Sequence, residues 1–121
     1  MVIKESAENY LETILMLKSK NGIVRSIDIA NELTFTKPSV SVAMKALRED
    51  GYIKMDTDGY ITLTETGHAI AQKIYERHQI IAKALIALGV SEVTAFEDSC
   101  KIEHCISDES FEKLKDHLEK H

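Results

Sequence analysis

The hydrophobic period of this chain changes at Gly51, and that change restricts the fold more than anything else in its 121 residues. Before Gly51, apolar residues recur every three to four positions; after it, they alternate. Thr36 can act as an N-cap, and Pro38 sits in the first helical turn, where a missing N–H costs nothing. Val40, Met44 and Leu47 follow at helical spacing, and Gly51 supplies a left-handed stop. Tyr52–Met55 and Tyr60–Leu63 read as strands joined through Asp56-Thr57-Asp58-Gly59, a hairpin with an Asp-Gly turn. Upstream, Ser26 is expected to cap a short helix with Ile27, Ile29, Ala30 and Leu33 inward, and Thr34-Phe35 makes the turn into the next one. Helix, tight turn, helix and hairpin in this order predict a winged helix-turn-helix, with an unrelated small α+β domain as the competing reading.

The flanks extend this into a mostly α fold. Residues 3–19 predict a first helix with an apolar stripe of Ile3, Ala7, Tyr10, Leu11, Ile14, Leu15 and Leu17, and Glu5, Glu8, Asn9 and Glu12 largely outside it. Thr64 opens a long helix that runs to Gly89, about 24 residues and roughly 36 Å. Its latter half, with Ile80, Ile81, Leu85, Ile86 and Leu88, is apolar on more than one side, so a partner helix is implied. Ser91 caps a helix expected to reach about Cys105, and Ser107 caps another running to the C-terminus. The expected organisation is an N-terminal winged-helix domain over 1–63 and a helical dimerisation lobe over 64–121, joined by the long helix. Half of a two-fold helical dimer core is the default reading of that lobe.

The net charge of −5 argues mildly against a general nucleic-acid binder, but its distribution is uneven. Residues 20–55 carry six Lys/Arg against four Asp/Glu, whereas 97–121 carry four against eight. On the 37–48 helix, Lys37, Ser39, Ser41, Lys45 and Arg48 point outward, hydroxyls in front and cations behind. That suits a helix pushed N-terminus first into a major groove, with Arg25 and Lys54 as flanking phosphate contacts. Small Val42 and Ala43 favour readout through thymine methyls and DNA shape. An ordinary solvated helix face is the competing reading. Tyr52 and Tyr60 either stack on DNA sugars or pack the hairpin onto the core. No apolar run approaches the 18 or so residues of a membrane span, and the N-terminus enters an acidic amphipathic stretch at once, so a cytoplasmic protein with no membrane partner is expected.

Cys100-Lys101-Ile102-Glu103-His104 is the sharpest local pattern. Positions i, i+3 and i+4 share a helical face, so thiolate, carboxylate and imidazole converge over one turn. His78, and Asn9 with Glu12 on the first helix, could complete a shell whose mixed N, O and S donors suit a first-row divalent metal. A solvated Glu-His pair beside a core-facing Cys fits the same spacing. Cys105 is read as a small buried residue or a ligand, and His68, His117 and His121 as surface groups. A Cys100/His104 nucleophile pair has no oxyanion hole, phosphate loop or orienting group in the sequence, so no enzyme is expected.

Taken together, several separated segments resemble the diphtheria-toxin-repressor and manganese-transport-regulator family of metal-dependent bacterial repressors. They are Glu8-Asn9-Tyr10-Leu11-Glu12-Thr13-Ile14, Asp28-Ile29-Ala30 through Pro38-Ser39-Val40-Ser41, Leu63-Thr64 to Gly67, Arg77-His78, and Cys100 to His104 followed by Ser107. The resemblance covers nearly the whole chain and implies a homodimer that binds double-stranded operator DNA and controls metal-homeostasis genes. It implies metal ligands at His78, Cys100, Glu103, His104 and Glu12, with Asn9 where iron-type members have Met and manganese-type members Asp. Ala82 and Phe96 fall where some members place additional ligands. Pro38 and Ser41 resemble the family's reading helix. The implied cofactor is Fe2+ or Mn2+, with Zn2+ or Co2+ binding in vitro. The chain stops at His121 without the SH3-like domain of some iron-type members, as in the shorter manganese-type architecture. The alternative from another class is a winged-helix regulator that senses a small molecule, and a third reading is a dimeric interaction module that has lost DNA binding.

Overall fold

The computed structural model describes residues 5–120, so Ile3 of the expected first helix and His121 lie outside the described residues. Its elements are α1 (Glu5–Asn21), α2 (Ser26–Leu33), α3 (Lys37–Glu49), β1 (Ile53–Met55), β2 (Ile61–Leu63), α4 (Glu65–Ala87), α5 (Glu92–Ile102) and α6 (Asp108–Lys120). They divide into two compact units, Met1–Gln72 and Lys73–His121.

In the first unit α1 packs on α2 and β2, and α3 packs on α2 and β1. Tyr10, Leu11, Ile14, Leu17, Ile29, Val40, Met44, Leu47, Ile53 and Ile61 close a single apolar core. The opening of α3 is as the sequence predicts: the Thr36 hydroxyl accepts the Ser39 N–H at 3.3 Å. Its end is too, since Gly51 takes a φ of +83° and Tyr52 N–H reaches back to the Leu47 carbonyl at 2.9 Å. The hairpin pairs Ile53 with Leu63, Lys54 with Thr62 and Met55 with Ile61. Asp56 holds its turn by accepting the N–H groups of Asp58 and Tyr60, each at 2.9 Å.

Four details of this unit differ from the expectation. The first helix ends at Asn21, two residues later than expected. Ser26 is the first helical residue of α2, and Arg25 stands in the cap position with its N–H donated to the Asp28 carboxylate at 2.9 Å. Ile27 is 38% exposed, because an eight-residue helix buries only the narrow stripe formed by Ile29 and Ala30. Glu12 is buried beside Thr13 on α1 and does not fall outside the apolar face. The segment before α2 also joins the hairpin, as Ile61 N–H donates to the Val24 carbonyl at 2.7 Å.

The start of α4 is locked to the end of α3. Thr64 donates its hydroxyl to the Gly51 carbonyl at 2.7 Å and accepts the Gly67 N–H at 3.2 Å. A Cβ on Gly67 would lie 2.0 Å from the Tyr52 carbonyl oxygen, so only glycine fits that crossing.

In the second unit, Ser91 and Ser107 cap α5 and α6 through the N–H groups of Thr94 and Ser110. Helix α5 stops at Ile102, short of the expected Cys105, and the Cys105 N–H bonds the Ile102 carbonyl at three-residue spacing, a tightened turn in place of the α pattern. The buried apolar set is small: Ile74, Ile81, Ala82, Ala95 and Phe111. Leu88 (82% exposed), Val93, Ile86, Phe96 and Ile102 remain on the surface. Among the described residues no helix is long and apolar enough to cross a membrane.

Candidate metal centre

Helix α4 presents His78, and the end of α5 presents Cys100 and Glu103. Their ligand atoms all lie within 4.8 Å of one another. His78 Nδ1 stands 3.0 Å from Glu103 Oε2 and 3.6 Å from Cys100 Sγ. Donors bound about 2.0–2.3 Å from one shared ion stand roughly 3–4 Å apart, so the group fits a metal. The chemistry of the set agrees, because the Glu103 side chain is fully buried (0% exposed) and a buried carboxylate demands positive charge nearby. Cys100 is an exposed residue.

The imidazole is fixed from two directions. Phe96 stacks on it at 5.4 Å between ring centres. The buried Ser99 hydroxyl donates to the Phe96 carbonyl at 3.0 Å and places its oxygen 3.1 Å from His78 Nδ1. Behind the donors lies Arg77, itself buried. Its guanidinium donates to the Glu103 and Ile106 carbonyls at 3.1 and 2.8 Å, pairs with the Asp108 carboxylate, and lies 5.4 Å from the centre of the Phe111 ring. Lys73 Nζ is 3.2 Å from the same carboxylate. The Lys73 hydrogen bond first, then the charges of Lys73 and Arg77, hold the Asp108 carboxyl below the ordinary carboxylate range.

His104 is placed differently from the sequence expectation. It follows the end of α5, outside the helix, so the single helical face drawn through Cys100, Glu103 and His104 is broken after Glu103. Its side chain is buried with Nε2 3.4 Å from Glu103 Oε1, on the carboxylate oxygen opposite the one facing His78. Cys105 is exposed and outside the donor group, not the buried or ligating residue expected. Asn9 and Glu12 lie three residues apart on α1 in the first unit, Glu12 buried and Asn9 partly so. His68 and His117 are exposed.

Sequence reasoning did not identify Ser99, or Arg77 as more than half of an Arg-His pair. No local spacing flags a serine that touches a histidine 21 positions away, or an arginine whose carbonyl partners lie 26 and 29 positions off.

On α3, Lys37, Pro38, Ser39, Ser41, Lys45 and Arg48 are all exposed, as is Lys54 on β1. Val42 is 71% exposed between them. Ser39 also serves the helix cap, its hydroxyl oxygen accepting from Thr36 at 2.8 Å. The Arg25 guanidinium lies over the Tyr60 ring at 4.5 Å, and Tyr52 is buried, so Tyr52 packs the hairpin while Tyr60 supports a cation.

Two family descriptions match the chain. That of the iron dependent repressor, N-terminal DNA binding domain, covers residues 3–61. That of the iron dependent repressor, metal binding and dimerisation domain, covers residues 64–121. An uncharacterized HTH-type transcriptional regulator of Methanocaldococcus jannaschii is 38% identical over 120 residues, spanning 98% of this chain and 96% of that one. The transcriptional regulator MntR of Escherichia coli is 34% identical over 118 residues, 98% of this chain and 76% of that one. Among solved structures, that of the manganese regulator SloR superposes with a TM-score of 0.83 at 26% identity, over 98% of this chain and 55% of that one.

Proposed function

This chain belongs to the iron-dependent repressor family, and we propose that His78, Cys100 and Glu103 are the core of its regulatory metal site. The protein is a metal-dependent, DNA-binding transcriptional repressor, with residues 1–63 as the reading domain and 64–121 as the metal-binding and dimerisation domain. The observation that carries this is the meeting of an imidazole nitrogen, a thiol sulfur and a fully buried carboxylate within 4.8 Å.

His104 backs Glu103 from its second oxygen, and Asn9 and Glu12 are the proposed donors from α1. Fe2+ or Mn2+ is the proposed physiological ion, Zn2+ and Co2+ serving in vitro. A bound divalent cation would supply the positive charge that balances the Glu103 carboxylate and the Cys100 thiolate. Without it these two repel one another, and the proposed donors Asn9 and Glu12 lose the ion that would hold α1. Because α1 packs directly on α2 and β2, a change in its hold reaches the reading helix α3 through one continuous core. A homodimer must present two such helices about 34 Å apart to enter successive major grooves of operator DNA. Arg25, Lys37, Pro38, Ser39, Ser41, Lys45, Arg48 and Lys54 are the proposed DNA surface, in a cytoplasmic protein controlling metal-homeostasis genes.

A small-molecule sensor would need an enclosed, largely apolar pocket. One groove among the described residues, of about 460 Å³ in the second unit, is lined by Lys73, Glu76, Asp108 and Glu112 with Phe111, a charged lining of a different kind.

Calorimetry with Mn2+, Fe2+, Co2+ and Zn2+ on the wild type and on Cys100→Ala and His104→Ala tests the metal site. The expected result is a saturable wild-type isotherm weakened in both variants; equal, weak isotherms in all three proteins would remove it. Gel retardation of the chain's own upstream DNA, with and without metal at two salt concentrations, then tests repression.

A further inference from the structure

We propose that Arg77 is the positioning residue of this metal centre: it fixes the turn over residues 103–107, and through it the Glu103 carboxylate, against His78. This rests on the reading of His78, Cys100 and Glu103 as the metal site. Helix α5 ends at Ile102, and the carbonyls beyond a helix end need partners. One amino group of the Arg77 guanidinium takes the carbonyls of Glu103 and Ile106, while the other pairs with Asp108, the first residue of α6. A single side chain therefore ties both ends of the turn that carries Glu103 and His104.

Successive helical residues project about 100° apart. On α4 this sends Arg77 to the backbone of the turn and its neighbour His78 to the carboxylate that the turn displays. The separation of roles is chemical as well. The hydrogen bonds of the Arg77 guanidinium go to the Glu103 and Ile106 carbonyls and to Asp108, so it reaches Glu103 through the main chain and acts on placement and not on ligation. The site asks for a planar fork: two carbonyls and a carboxylate are engaged from two amino groups, over the face of Phe111. A lysine keeps the charge but has a single ammonium that cannot hold that geometry.

The test uses Co2+ as the probe, since its visible bands report both thiolate ligation and coordination geometry. The full-length wild type, Arg77→Lys and Arg77→Gln are titrated with Co2+, and each is followed by far-UV circular dichroism and thermal melting. The expected result is a folded Arg77→Lys protein whose Co2+ affinity falls about 10–100-fold, with displaced ligand-field bands. A merely structural role would lower the melting temperature and leave the cobalt spectrum of the folded protein unchanged. Wild-type bands and affinity in a folded Arg77→Lys overturn the proposal, and so does failure of both variants to fold. No cobalt bands in the wild type itself would overturn the metal-site reading, and the positioning role with it.

Discussion

The two units solve opposite problems. Residues 5–72 surround one apolar core with short helices and a hairpin; the proposed DNA-contacting side chains of α3 face outward, and Glu12 and Thr13 are the polar side chains buried there. Residues 73–120 bury few apolar side chains yet bury Arg77, Ser99 and Glu103, and leave Leu88 and Val93 on the surface. The first unit is finished by its own packing. The second gathers a buried carboxylate with an imidazole and a thiol and leaves an apolar face on its surface, arrangements that suit the proposed cation and a second copy of the chain respectively. A DNA reader needs a rigid body to present, whereas a sensor needs a place whose stability depends on what it senses.

The largest expected difference between the units comes from cutting their cores. Met44→Ala, at a fully buried position of α3, should lower unfolding free energy by about 3 kcal/mol in urea titration, whether or not metal is present. A mutant-to-wild-type difference that shrinks when both proteins carry Mn2+ would erase the contrast. Glu103→Gln tests the other side. Metal at about 100 times its Kd should stabilise the wild type by about 2.7 kcal/mol, and the variant should lose nearly all of that gain in thermal melts with and without Mn2+.

Leu88→Asp sharpens the account of the exposed face. It should produce monomers in sedimentation and weaken DNA retention by about tenfold or more, since both reading helices no longer engage together, while the fold persists.

The smallest effect concerns Asp108. Its carboxyl is held below the usual carboxylate range by Lys73 and Arg77, so its contribution is present above about pH 4 and lost as pH falls through the depressed value. Asp108→Asn should flatten the acid limb of a stability-against-pH curve slightly and leave it unchanged at pH 7 to 8 in slope.

The same contrast explains what the amino-acid sequence disclosed. Thr36, Pro38, Val40, Met44, Leu47 and Gly51 act on neighbours a few residues away, so the reading helix and its stops were legible from spacing alone. Ile27 departs from the inward position its spacing predicts because inward and outward faces of a two-turn helix differ by one step. Cys100 and Glu103 were legible as a pair, being one turn apart. The end of α5 was not, because the group that satisfies the Glu103 carbonyl is Arg77, on a different helix. His104 was therefore placed on a helical face that stops before it. Exposed Cys105 carries no pattern of its own that separates it from Cys100.

Linkage between metal and DNA tests the central claim most directly. Fluorescence anisotropy of a labelled duplex from the chain's own upstream region gives the DNA Kd with and without Mn2+, and calorimetry gives the Mn2+ Kd with and without that duplex. The account predicts a gain of about 5–150-fold in DNA affinity with Mn2+, and the same factor in Mn2+ affinity with DNA. Mn2+ that binds to His78, Cys100 and Glu103 with an affinity indifferent to DNA would contradict it.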